Sequence, residues 1–90
     1  MSKGYNMNLL EVQNKVISQI TELLKKEPEG FSSIEKNNEG WAVVCEVLEK
    51  KSVPETYDLL KVFEFIVDKE CRVVRFKQLR KIRRGDLDER

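Results

Sequence analysis

GFSSIEKNNEGWAVVCEVLE, residues 30–49, is the stretch that decides the fold. Trp41, Val43, Cys45 and Val47 alternate strictly with their neighbours through Glu49, which is the period of a half-buried strand. Asn37-Asn38-Glu39-Gly40 interrupts the run with turn chemistry. About Phe31 to Lys36 and Trp41 to Glu49 therefore read as the two arms of a hairpin.

Before Gly30 the period is different. Leu9, Val12, Val16, Ile20 and Leu23 recur at three and four residues, and Leu10, Ile17 and Leu24 widen the stripe. Asn8 followed by Glu11 fits a capping box, with Met7 and Val12 placed as a hydrophobic staple. Lys25 and Lys26 complement the negative end of the helix dipole, and Pro28 with Gly30 stops the helix. The pattern predicts a helix over about residues 9–26.

Past Glu49 a loop holds Pro54, and a third strand is expected from about Tyr57 to Asp68. Asp68-Lys69-Glu70-Cys71 makes the next turn, and a last strand from about Arg72 carries Val74 and Phe76 on one face. Leu79 then has the wrong parity relative to Phe76, which points to a bulge rather than a helix beginning near Lys77. The expected fold is α+β, a helix packed on one face of a four-stranded antiparallel meander. Residues 1–85 form its single domain and 86–90 a flexible tail. Leu9, Val16, Ile20, Leu23, Trp41, Val43, Val47, Phe63 and Phe65 are expected in the core.

The formal charge of +1 conceals an asymmetry. Residues 1–71 carry 13 acidic and 9 basic side chains; residues 72–90 carry 8 basic and 3 acidic. The acid-free run holding Arg80, Lys81, Arg83 and Arg84 is a candidate contact for an acidic protein partner, set against the plainer role of a charged edge strand. Nucleic acid is the alternative partner, weakened by a near-neutral chain with no interleaved stacking aromatics.

Several function classes fall away. The chain has no histidine, and Cys45 and Cys71 are too far apart to resemble a zinc motif. No metal, cofactor or disulfide is expected, and free thiols suit a reducing cytoplasm. The first apolar run, at Leu9-Leu10, is broken by Glu11, so neither a signal peptide nor a membrane span is expected. Glu46 and Glu64 could suggest a carboxylate pair. Each instead falls opposite the Trp41 row, where Arg75 or Lys77 can pair with it across strands, and no nucleophile lies beside a base. Trp41 reads as core beneath the helix rather than as a binding anchor.

The second sheet face is the most informative feature. Val44, Leu48, Leu60, Val62 and Ile66, with Val73, share the parity pointing away from Trp41, and one helix covers one face only. These residues are candidate partner-binding positions, for a second copy packing sheet on sheet or for another protein.

An ordered series of motifs also resembles the gas vesicle protein O family. Gly40-Trp41 through Glu49 is similar to its Gly-Trp strand ending in a Glu-Val-Val-Glu-like run. Val53-Pro54-Glu55-Thr56-Tyr57-Asp58-Leu59-Leu60 resembles its Ile-Pro-x-Thr-x-Asp-Val-Leu, and Phe63-Glu64-Phe65 its Tyr-Glu-Val. Arg80-Lys81-Ile82-Arg83-Arg84-Gly85 is similar to its Arg-Arg-Tyr-x-Arg-Gly end. Ser52, Cys71 and Ile82 depart from the pattern, standing where the family has Arg, a turn glycine and an aromatic. The resemblance implies a cytoplasmic, non-enzymatic accessory factor in gas vesicle formation, working with other gas vesicle proteins. A nucleic-acid-binding regulator using the basic C-terminal segment is the competing function.

Overall fold

The computed structural model describes residues 8–88. Helix α1 (Leu9–Leu24) begins with the expected reciprocal cap. The Asn8 side chain accepts from the Glu11 N–H at 2.9 Å, and the Glu11 carboxylate accepts from the Asn8 N–H at 3.1 Å. Two donors that a helix start leaves open are thereby satisfied. Met7, the staple partner expected for Val12, lies outside the described residues. Lys25 turns left-handed (φ 61°) and donates its N–H to the Thr21 carbonyl, so the helix ends slightly earlier than expected.

Four strands follow, β1 (Gly30–Asn37), β2 (Gly40–Lys50), β3 (Leu59–Asp68) and β4 (Val73–Arg83). They pair antiparallel in the order β1-β2-β3-β4, the expected meander. Glu55–Tyr57 form a single 3₁₀ turn where the third strand was expected to open. After β4 the chain winds into α2 (Arg84–Asp88), which overlaps the stretch expected as a tail.

The β1–β2 turn shows why its residues are there. The Asn37 side chain accepts from the backbone N–H groups of Glu39 and Gly40, both at 2.9 Å. Gly40 sits at φ 147°, and a β-carbon there would overlap the Val67 carbonyl on β3. Only glycine fits.

The core lies between α1 and one face of the sheet. Val12, Val16 and Ile20 pack on Trp41, Val43, Cys45 and Val47 of β2 and on Phe63, Phe65 and Val67 of β3. Leu9 and Leu23, expected in this core, are instead about half exposed. The packed ridge is the i, i+4 row Val12-Val16-Ile20, which Leu24 extends. Four residues at 3.6 per turn overshoot a full turn by about 40°, so this row winds around the helix. By each end of α1 it has turned roughly a quarter-circle away from Leu9 and Leu23.

Two bulges shape β4. Phe63 pairs with Gln78 and Val62 with Arg80, leaving Leu79 as the extra residue. A second shift falls at Val74, since Val67 pairs with Val73 and Ile66 with Arg75. This overturns one expectation about the strand. Val73, not Val74, shares the helix side with Phe76, because the bulge resets the parity; Val73 packs against the core and Phe76 stacks on Phe65 at 5.0 Å.

Gln19 joins helix to sheet. Its side-chain amide donates to the Cys71 carbonyl at 2.6 Å and accepts from the Val73 N–H at 2.9 Å. It thus meets the backbone groups on either side of Arg72 much as a neighbouring strand would.

Candidate functional site

The sheet face opposite α1 holds the five expected apolar positions, but not equally open. Val44, Leu48 and Ile66 are half-buried, whereas Leu60 and Val62 are buried. Both buried residues lie on β3, an inner strand. Leu60 sits between Leu48 and Ile82, and Val62 between Glu46 and Arg80. Side chains on both neighbouring strands close over one at the centre of a sheet. What remains accessible is a shallow strip of Val44, Leu48 and Ile66. Glu64 stands between Val44 and Lys77 in register, and Arg75 is opposite Ile66, so the strip has a charged border.

The structure does not gather Arg80, Lys81, Arg83 and Arg84 into one patch. Arg80 aligns with Val62 on the open face, whereas Lys81 and Arg83 align with Lys61 and Leu59 on the helix side. Lys81 pairs with Glu49 at 3.4 Å, and Arg83 donates to the Tyr57 carbonyl at 2.9 Å.

Arg84 has a different role. Its Nε and Nη2 donate to one oxygen of Asp58 at 3.2 and 3.0 Å, and Nη2 also reaches Glu29 at 2.8 Å. Asp58 is only 2% exposed; its other oxygen accepts from the Ser52 N–H at 2.7 Å, and its carbonyl accepts from the Arg84 N–H at 2.9 Å. The Ser52 hydrogen bond, reinforced by Arg84, holds the Asp58 carboxyl below the usual carboxylate range. Gly85 lies against Thr56, where a β-carbon would stand 3.3 Å from the Thr56 carbonyl. The Pro-x-Thr-x-Asp stretch and the Arg-Arg-Gly stretch, distant in sequence, are thus one structural unit. Composition and periodicity had treated Arg84 as one more surface cation.

Neither cysteine is set up as a nucleophile. Cys45 is free and buried, and burial, with Glu46 adding, pushes its thiol up to about 12. Cys71 is free and buried too, and burial raises it likewise. Such thiols stay protonated and behave as small apolar groups. Among the described residues no cluster of side chains is arranged to hold a metal, and no helix is long and apolar enough to cross a membrane.

Fold and site define a small helix-on-sheet protein whose distinctive features are surfaces and an internal ionic unit. Residues 2–88 match the family described as Gas vesicle synthesis protein GvpO. Gas vesicle protein O1 of Halobacterium salinarum is 33% identical over 84 residues, covering 93% of this chain and 71% of that protein. Gas vesicle protein O of Haloferax mediterranei is 34% identical over 89 residues, covering 98% and 64%. A Streptomyces gas vesicle protein O is 33% identical over 79 residues, covering 88% of this chain and 62% of the relative. No solved structure matches the chain. The chain belongs to the gas vesicle protein O family, spanning about two thirds of the length of these relatives.

Proposed function

We propose that the chain is a non-enzymatic accessory protein of gas vesicle formation, working in the cytoplasm by binding other gas vesicle proteins. The observation that carries the reading is the sheet face opposite α1, where Val44, Leu48 and Ile66 are only partly buried within a charged border. That is the anatomy of a small protein-binding surface, apolar at the centre and polar at the rim. Membership of a vesicle-synthesis family supports the identity of the partners.

The test is Ile66→Glu. Ile66 is preferable to Val62 because a charge at the buried Val62 would strain the fold itself. The variant is expected to melt close to the parent, while co-purification of gas vesicle proteins and the number of vesicles both fall. Unchanged capture and vesicle number would remove this face from the function. Should vesicle proteins stay behind while unrelated DNA binds with a steep inverse dependence on salt, the nucleic-acid alternative would replace the proposal.

A further inference from the structure

At one end of the sheet, beyond the C-terminus of α1, cations from separate parts of the chain converge. Lys50 on β2 and Arg83 on β4 both pair in register with Leu59, flanking it across three strands. Lys61 and Lys81 face each other one step further along. The core cluster stops short of this corner, at Val47 and Phe63. An open depression of about 610 Å³ sits here, lined by Lys50, Lys51, Ser52, Val53, Tyr57 and Arg83, with no carboxylate in its wall. Val53 is 96% exposed and Tyr57 is largely exposed beside it. This bare aliphatic side chain stands next to an aromatic ring and three cations.

We infer that this corner is a second docking site, distinct from the open sheet face, and that it takes an extended acidic polypeptide segment bearing an apolar side chain. The carboxylates of such a segment meet Lys50, Lys51 and Arg83, and its apolar residue rests on Val53 and Tyr57. Cations gathered on one small surface raise the local positive potential, which speeds encounter with an acidic partner and sets its register. Arg83 is already oriented by its bond to the Tyr57 carbonyl, so its guanidinium is held for a carboxylate rather than free to wander. Among the described residues no strand pairs with the outer edge of β4, which leads to the site, so an extended segment has a strand to follow.

A nucleic acid fits less well. Its charge continues at one phosphate every few ångströms, and it would run from this small corner onto Glu49 and Glu55 nearby. Tyr57 is the single aromatic in the wall, too few for a stacking platform.

The inference rests on the reading that the chain works by binding proteins, and the experiment separates the two. A short fluorescein-labelled peptide of alternating glutamate and valine is titrated with the full chain at about 0.15 M salt. Lys50→Glu with Lys51→Glu is compared with Lys15→Glu with Lys36→Glu, which carry the same charge change at exposed positions away from this corner. The first pair is expected to weaken binding about tenfold or more, the second by less than about threefold. Lys50→Gln with Lys51→Gln gives a smaller loss in the same direction and serves if the glutamate pair does not fold. Equal losses for both pairs would overturn the site, because net charge alone would then account for binding. Tighter binding of single-stranded DNA than of the peptide, lost in the Lys50/Lys51 pair, would overturn the assignment to an acidic polypeptide. Co-purification from vesicle-forming cells is run in parallel. Capture of gas vesicle proteins with peptide binding insensitive to Lys50 and Lys51 sinks this site alone. Site-dependent peptide binding with no capture by the parent chain sinks the functional reading and leaves the site standing.

Discussion

The two faces of this sheet are made from the same alternating strands, and they are buried by different means. On one face Val43 and Phe65 are covered by the Val12-Val16-Ile20 ridge of α1. On the other, Val62 is only 1% exposed although α1 lies on the far side of the sheet, while Phe76, on the helix side, is 40% exposed. Place in the strand order therefore counts for as much as the face. An inner strand is walled by neighbours on both sides; β4 is an edge strand with a neighbour on one side only. A helix about 10 Å across cannot reach from β1 to β4, so the edge keeps its aromatic half in water.

The largest effect that tests this comparison is Phe65→Ala. It removes a fully buried ring and the stacking partner of Phe76, and should cost about 3–5 kcal/mol in a denaturant titration. Phe76→Ala should cost clearly less, and equal costs would break the distinction between inner and edge strands.

The neighbours Val43 and Val44 provide a cleaner contrast, being the same side chain on opposite faces. Val43→Ala should lose about 2–3 kcal/mol, from two methyl groups at about 0.8 kcal/mol each plus a cavity; Val44→Ala should lose under about 1 kcal/mol. A reversed order would mean the open face is the true core.

Gln19→Ala removes the tie between α1 and the start of β4. Cys71 and Val73 would keep unmet backbone groups in a half-buried place, for a loss of about 1–2 kcal/mol. Hydrogen exchange at Val73 should rise more than at Trp41, which sharpens the contrast between the edge strand and the inner one.

The smallest effect is best read through pH. The folded-state carboxyls of Asp58 and Asp68 lie below the ordinary range, Asp58 first through the Ser52 N–H and Asp68 first through the Arg72 N–H. Stability from such groups is fully present above the unfolded value of about 4 and is lost as pH falls through the lower folded value. Asp58→Asn should melt below the parent at neutral pH, with the gap closing in acid. A gap that persists unchanged in acid would mean that Asp58 contributes shape rather than charge.

Much of this was legible in the residues. The capping box at Asn8, the hairpin at Asn37–Gly40, the bulge at Leu79 and the turn beginning at Asp68 are local events, written in a few neighbouring side chains. The left-handed Cys71 (φ 64°) takes a backbone conformation that glycine adopts most easily. The misreadings at Leu9, Leu23 and Val73 share a cause. Period alone cannot say how far a helix ridge winds before it leaves the sheet, or that a second bulge precedes the first.

The functional surfaces divide in the same way. Alternation along each strand determined which side chains share a face, because successive β-carbons must point to opposite sides. The motif series determined the family. Only the tertiary structure decided that Arg84 turns inward to Asp58 and Glu29, that Lys81 pairs with Glu49, and that Lys50 and Lys51 stand beside Arg83. Those are contacts across more than twenty residues of chain. They depend on strand order, bulges and the path of a loop, and these emerge from the balance of all the packing at once rather than from any short stretch.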